Sequence, residues 1–168
     1  MTHRTWLAAI VLLLPSAAAH AETGPEAFAR LGKLTGDWQG SHAGGRPHRV
    51  NFRLTAAGTA LIETVTMSPT RESITVYHLD GDRLLATHYC PQGNAPRLGL
   101  VPGKAGQLDF SFVDGTNLNV VGKSHQHRVR IKLHADGSFS RGEAYVDNGP
   151  APSLAPVLDA DVRYARMR

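Results

Sequence analysis

Five side chains that could take part in binding or catalysis lie close together in one stretch of the sequence. They are His88, Tyr89, Cys90, Asn94 and Arg97. Imidazole and thiol groups serve as metal ligands and as parts of nucleophilic sites. An amide can orient a catalytic base, and a guanidinium can clamp a carboxylate. The sequence therefore places a candidate binding or active site between His88 and Arg97.

A cysteine nucleophile is one chemistry that these residue types allow. Cys90 would attack, His88 or a histidine on another strand would act as the base, and Asn94 would orient it. His88 and Cys90 are two positions apart, however, which in a strand separates their Cα atoms by about 6 to 7 Å. Because this geometry disfavours direct proton transfer, the sequence favours a binding protein over an enzyme.

A metal site is a second chemistry. His88 and Cys90 would share one face of a strand, and so would His125 and His127 further along the chain. If the two strands were adjacent, these four side chains could bind zinc or copper in a tetrahedral site. The spacing matches no recognised metal signature. No resident metal or other cofactor is therefore predicted from these residues.

The stretch around these residues is predicted to form a β-hairpin. Strands at Ile74–His78 and Arg83–Cys90 flank Asp80-Gly81. Such a dipeptide is typical of a type I′ turn, in which both central residues have positive φ. The segment Gln92–Arg97 that follows is predicted to be a turn, because it is rich in residues that allow tight backbone bends.

Alternation of apolar and polar residues predicts strands along most of the remaining chain. A short helix at Pro25–Leu34, capped by Thr23, comes first. The predicted strands outside the hairpin are Arg49–Thr55, Thr59–Met67, Gln107–Val113, Gln126–His134, Ser138–Val146 and Val162–Met167. With a first strand at Trp38, this gives about eight to ten strands. The pattern predicts an all-β antiparallel meander that closes into an up-and-down barrel, with a β-sandwich as the alternative.

The N-terminus has the composition of an export signal. Arg4 supplies positive charge, Trp6–Leu14 is apolar, and Ala19-His20-Ala21 fits a cleavage site. Residues 1–21 are therefore predicted to be a signal peptide, and residues 22–168 a single barrel domain. The style of the signal and the Arg- and Ala-rich composition favour the periplasm of a Gram-negative bacterium, or secretion.

Charge and hydropathy exclude some classes of partner. The net charge is only +4, and the charges are interspersed, so no nucleic-acid-binding surface is indicated. The apolar part of the signal is too short to span a bilayer, and no transmembrane segment is predicted after cleavage. The expected state of the mature chain is a monomer or a homodimer.

Two motifs resemble known proteins. L-x-G-x-W-x-G, which begins at Leu34 after the short helix, resembles the calycin group of lipocalins, fatty-acid-binding proteins and nitrobindin-type haem barrels. The run from Val76 to Arg97 contains YHLDGDRL, THYC and GNAPR, and looks more specifically like a set of uncharacterised exported bacterial lipocalin-like proteins. Together the similarities extend from Leu34 to about His134, most of the mature chain.

The resemblance implies a barrel whose internal cavity holds one small, largely apolar or amphipathic ligand. The predicted ligand-binding residues are Trp38, Glu63, His88, Cys90, Asn94 and Arg97. Trp38 would close the base of the cavity, and Arg97 would pair with Glu63 on the inner face.

Two alternatives stay open. In nitrobindin-type barrels a late histidine binds haem iron, for which His125 or His127 would be the nearest candidate. The residues after Gly40 depart from those proteins, because alternating glycines are missing here. The first alternative is thus a haem- or metal-binding barrel with redox or isomerase-like activity. The second is a structural or partner-binding barrel with a filled interior.

Overall fold

The computed structural model of this chain describes residues 22–41, 45, 47–148 and 161–168. The predicted signal peptide, residues 1–21, lies outside the described residues. Within the described ranges, no helix is long and apolar enough to cross a membrane.

The described residues form one short α-helix and ten β-strands. The helix is α1 (Gly24–Gly32), and the strands are β1 (Gly36–Ser41), β2 (Pro47–Thr55), β3 (Ala60–Ser68), β4 (Arg71–Asp80), β5 (Arg83–Tyr89), β6 (Ala95–Val101), β7 (Gln107–Thr116), β8 (Ser124–Leu133), β9 (Phe139–Asp147) and β10 (Val162–Arg166). Each strand pairs antiparallel with its neighbours in sequence, and β10 pairs with β1 to close the barrel. The predicted all-β, up-and-down barrel is confirmed.

The predicted hairpin is β4 and β5, with a small change at its turn. Asp80 pairs with Arg83, so the two loop residues are Gly81 and Asp82. Of these two, only Gly81 has a positive φ, of 59°. This fits a type II′ turn, whereas the predicted type I′ turn would need positive φ at both positions.

The segment after β5 turns more tightly than predicted. The Cys90 amide donates to the Asn94 carbonyl, and the Gly93 amide donates to the Cys90 carbonyl. Gly93 has a φ of 86°, which an L side chain rarely adopts. Because these few residues complete the reversal, Ala95–Arg97 belongs to β6 and not to the turn.

Helix α1 covers one end of the barrel. The Thr23 hydroxyl accepts from the Glu26 amide, and the Glu26 side chain accepts from the Thr23 amide, which forms a capping box. The helix packs against β2, β4 and β5. Its first residue, Gly24, lies so close to the β4–β5 turn that a Cβ atom there would be 2.2 Å from the Asp82 carbonyl oxygen.

The apolar core lies at the α1 end of the barrel. Phe139 on β9 packs edge-on against Trp38 and Phe52, with ring centroids 5.0 and 5.6 Å apart. Leu31 and Leu34 cover this cluster from the helix side. Burial of such large apolar side chains is the main stabilising contribution to the fold.

Candidate functional site

A cavity of about 570 Å³ opens at the end of the barrel opposite α1. Its position follows from its walls, which include the end of β3, the start of β4, the residues after β5 and the start of β8. Its polar and charged lining consists of His48, Ser68, Arg71, Ser73, Cys90, Gln92, Ser124, Arg141, Glu143, Tyr145 and Tyr164. Apolar contact surface comes chiefly from Val65, Met67 and Val162.

The floor of this cavity is a buried ion pair that joins β9 to β3. Arg141 Nε lies 2.7 Å from Glu63 Oε1, and the two side chains are only 2% and 0% exposed. Arg141 also contacts the Glu143 carboxylate. Tyr77 donates a hydrogen bond of 2.6 Å to the other oxygen of Glu63. Burial raises the pKa of Tyr77, and Glu63 raises it further, so the hydroxyl keeps its proton and acts as a donor.

Arg141 has hydrogen-bonding capacity left over. The Nε contact with Glu63 is close but lacks the direction of a hydrogen bond, so it is an ion pair only. Nη2 has no hydrogen-bond partner among the described residues. Burial on its own would lower the pKa of Arg141, but Glu63 raises the pKa above its ordinary value. Arg141, a residue of the cavity lining, therefore carries a charged, buried donor without an acceptor in the described residues.

His88 lies inside the barrel next to this ion pair. Its Nδ1 is 3.0 Å from Thr75 Oγ1, and its Nε2 has no partner in the described part of the chain. Burial and then the charge of Arg141 lower the pKa of His88 to about 3. The imidazole is therefore neutral near pH 7 and acts as a hydrogen-bonding group and not as a cation.

The loop after β5 crosses to β8 at the rim of the cavity. Gln92 Nε2 donates to Ser124 Oγ, and the Ser124 amide donates back to Gln92 Oε1, both at 3.0 Å. Asn94 Nδ2 donates to the Ser124 carbonyl at 2.8 Å. Asn94 is thus placed to hold the loop, whereas Cys90 is half-buried and lines the cavity directly.

On the opposite rim, β2 and β10 contribute a His–Tyr pair. His48 Nδ1 and the Tyr164 hydroxyl form a hydrogen bond of 2.5 Å. The Tyr164 ring stacks on Phe139 with centroids 4.7 Å apart. Burial raises the pKa of Tyr164 to about 12, so the phenol is neutral.

The prediction that Arg97 pairs with Glu63 is wrong. Arg97 lies on the outer face of the barrel, where its Nε donates to Asp114 Oδ1 at 2.6 Å. The side chain is half exposed. Pro96 and Leu98 are buried on either side of it. Since neighbouring residues of a strand point to opposite faces, Arg97 cannot reach the interior.

Trp38 lies at the far end from the cavity. Its Nε1 donates to the Leu34 carbonyl at 2.6 Å, and the Arg166 guanidinium lies 4.3 Å from the ring centroid. The closure of the cavity base by Trp38 stays a prediction. Trp38 is not part of the cavity lining.

The structure does not assemble the four-ligand metal site. His127 Nδ1 lies 3.4 Å from His125 Nε2, and His125 Nδ1 is hydrogen-bonded to Asn148 at 2.7 Å. Their strand β8 is separated from β5, which carries His88, by β6 and β7. Across the described ranges, no three His, Cys, Asp or Glu side chains form a group that could hold a metal ion.

The same two histidines do not fit the haem alternative. Neither His125 nor His127 lines the cavity. Both rings instead lie against Phe112, at centroid distances of 4.9 and 5.1 Å. The structure therefore places neither imidazole in the cavity lining, where a haem ligand would be needed.

Three cavity residues on β9 were not predicted from the sequence: Arg141, Glu143 and Tyr145. They alternate along β9 in the segment FSRGEAYVD, on the same face as Phe139. The sequence feature that could have identified them is the other face of β9. Its residues, Ser140, Gly142 and Ala144, are too small to form a core face. The large aromatic Phe139 thus marked the inner side of the strand.

No protein-family model matches this chain, and no protein of curated function matches it. The function is therefore inferred from the geometry and chemistry of the cavity.

Proposed function

We propose that this protein is an exported, lipocalin-like binding protein that holds one small molecule in the cavity at the open end of the barrel. The observation that carries the proposal is Arg141 Nη2, a buried donor without a hydrogen-bond partner in the described residues, beside a cavity of about 570 Å³. Cavities of this size accommodate small ligands. A barrel interior needed only for folding would be filled by side chains throughout.

The lining favours a more polar ligand than the largely apolar one predicted from the sequence. Val65, Met67 and Val162 offer apolar contact, whereas Arg141 and Glu143 place charge and hydrogen-bonding groups at the floor. An amphipathic molecule matches this division, with its polar group directed at β9. The resemblance to exported lipocalin-like proteins agrees with this mode of binding.

Native mass spectrometry of protein purified from exporting cells is the first test. We expect a polypeptide of 147 of the 168 residues, which begins at Glu22 after removal of the signal. We also expect an additional mass from a noncovalently bound molecule. A chain that keeps residues 1–21 and stays in the cytoplasm would contradict export without contradicting ligand binding.

A pair of variants on β4 tests the cavity itself. Ser73 is buried and lines the cavity, whereas its neighbour Glu72 is exposed on the outer face. Ser73→Leu adds bulk inside the cavity, and Glu72→Leu adds the same kind of side chain outside it. We expect Ser73→Leu to weaken uptake of the neutral dye Nile red at least tenfold and Glu72→Leu to leave it unchanged. The proposal fails if the wild-type protein binds neither a co-purified molecule nor Nile red.

A further inference from the structure

We infer that the ligand of this cavity is an uncharged molecule with a carbonyl group, of the amide class, and that Arg141 Nη2 donates to the carbonyl oxygen. The inference rests on the proposed binding function and adds to it the chemical class of the ligand. It follows from the balance of charge at the cavity floor and from three side chains with unpaired polar atoms.

The charges at the floor disfavour an anionic ligand. Arg141 already contacts two carboxylates, Glu63 and Glu143. A ligand carboxylate would be a third anion around one buried guanidinium, and burial of a charge without compensation is strongly unfavourable. Arg71 also lines the cavity, but it is exposed, so solvent and salt screen its charge.

A cationic ligand meets the opposite difficulty. To reach the fully buried Glu63 it would have to replace the guanidinium that this carboxylate contacts, and at the partly exposed Glu143 solvent and salt weaken the attraction. Glu63 is also hydrogen-bonded by Tyr77. A positive group would thus lie beside Arg141 at short range, where like charges in a buried site repel strongly. An uncharged ligand avoids both costs.

The unpaired nitrogen of Arg141 favours a ligand that carries a hydrogen-bond acceptor. Nη2 is a donor only, because a guanidinium has no acceptor lone pair. It lacks a partner within the described chain, and the side chain is almost fully buried. A carbonyl oxygen satisfies this donor without adding charge. Hydrogen bonds from a charged donor are about twice as strong as those between neutral groups.

Two more unpaired groups lie on the inner face behind the lining. Gln126 is fully buried, and neither its Nε2 nor its Oε1 has a partner in the described residues; the same holds for His88 Nε2. Gln126 lies directly opposite Tyr145, which lines the cavity, so both side chains are on the same face of the sheet. The Gln126 side chain has an unpaired NH2 group with two donors and an unpaired acceptor oxygen, and another amide is the group that complements both kinds of atom.

Probes that share a skeleton and differ only in charge test the inference. We would titrate the wild-type protein with 4-phenylbutanamide, 4-phenylbutanoate and 4-phenylbutylamine, and follow binding by NMR. The expected result is that the amide binds at least tenfold more tightly than either charged probe. If the carboxylate or the amine binds as tightly as the amide, the inference is overturned, although the cavity is still a binding site. If none of the probes binds and Nile red does not bind either, the proposed function fails as well.

Matched variants test the role of Arg141. Arg141→Lys keeps the positive charge but removes Nη2, and Arg97→Lys makes the same change on the outer face of the barrel. We expect the amide to bind at least tenfold more weakly to Arg141→Lys and equally well to Arg97→Lys. Unchanged binding to Arg141→Lys would overturn the assignment.

Gln126→Leu provides a second variant in case Arg141→Lys does not fold. It replaces a buried, unpaired amide by an apolar side chain of similar size, a change that folded proteins tolerate well. We expect the preference for 4-phenylbutanamide over methyl 4-phenylbutanoate to fall severalfold in this variant. An unchanged preference would overturn the amide assignment.

Discussion

The two ends of the barrel interior are built on the same strands but have opposite chemistry. On β9 the change occurs within two residues: Phe139 packs among Trp38 and Phe52, whereas Arg141 lies in an ion pair with Glu63. The α1 end is filled and apolar. The open end has a cavity and buried polar atoms that lack partners within the described residues.

This difference separates the part of the molecule that stabilises the fold from the part available for binding. Aromatic packing at the α1 end gains free energy from burial. Each unpaired buried donor at the open end costs free energy, which a complementary ligand group would recover. Violations of packing rules in an otherwise regular protein are expected where a protein binds or reacts.

The largest loss of stability is expected from a substitution at the apolar α1 end of the barrel. Phe139→Ala removes the ring at the centre of the aromatic cluster, and we expect a loss of about 4 kcal/mol in the free energy of unfolding, measured by urea denaturation. Tyr89→Ala, at a side chain 53% exposed, serves as the control and should change stability little. Phe139 also stacks on Tyr164, which lines the cavity, so binding is compared in Leu31→Ala, a change in the same apolar cluster on α1. Nile red affinity of folded Leu31→Ala should stay within twofold of wild type. A large loss of affinity would contradict the separation of the two ends.

The second-largest loss of stability is expected at the Arg141–Glu63 ion pair. Arg141→Met leaves the fully buried Glu63 carboxylate without its cation, and we expect a loss of about 3 kcal/mol in urea denaturation. Adding Glu63→Gln to this variant removes the uncompensated charge and should restore at least half of the loss. Equal stabilities of the single and double variants would mean that Glu63 is not a charged partner of Arg141.

A pH-dependent loss of stability is expected from His88. In the unfolded chain a histidine takes up a proton near pH 6.5, but in the folded protein the pKa of His88 is about 3. Between these values the unfolded state binds more protons, so the free energy of unfolding falls as the pH falls, by roughly 1.4 kcal/mol per unit.

Urea denaturation between pH 6.5 and pH 4 measures this slope. We expect His88→Gln to flatten it, because the substituted side chain does not titrate. Thr87→Gln, at the half-buried neighbouring position on the same strand, is the control and should keep the wild-type slope, because neither side chain titrates. If the slope is the same in His88→Gln and wild type, His88 is not the group responsible.

The smallest effect is expected at the helix cap. Thr23→Ala removes the hydroxyl that accepts from the Glu26 amide, and we expect thermal or urea unfolding to show a loss of about 1 kcal/mol. Thr70→Ala, in the exposed turn between β3 and β4, is the matched control. Binding at the cavity, which lies at the opposite end of the barrel from Thr23, should not change in Thr23→Ala, and a change would show that the two ends are coupled.

Structural features that depend only on residues close together in the sequence could be predicted from it. The alternation of Leu61, Glu63 and Val65 placed Glu63 on an inner face, and all three are buried. The β4–β5 hairpin was predicted in the right place because apolar runs flank a Gly-containing turn. Its turn type was wrong, since the type depends on which two residues fall outside the strand pairing.

The partner of Glu63 could not be predicted, because pairing across a barrel joins residues far apart in sequence. Arg97 was the predicted partner, yet it faces outward and pairs with Asp114. A shift in strand register between Arg97 and Leu98 further changes the alternation on which such predictions depend.

The sequence by itself determined the all-β meander, the capped helix and, away from the register shifts between β3 and β4, β6 and β7, and β8 and β9, the residues that share a strand face. These follow from short-range rules of side-chain alternation, turn backbone conformation and helix capping. Only the tertiary structure decided that Arg141 on β9 meets Glu63 on β3 and that Arg97 lies outside. Alternation defines two faces for each strand, but closure of the barrel selects the inner one and sets which side chains meet across it.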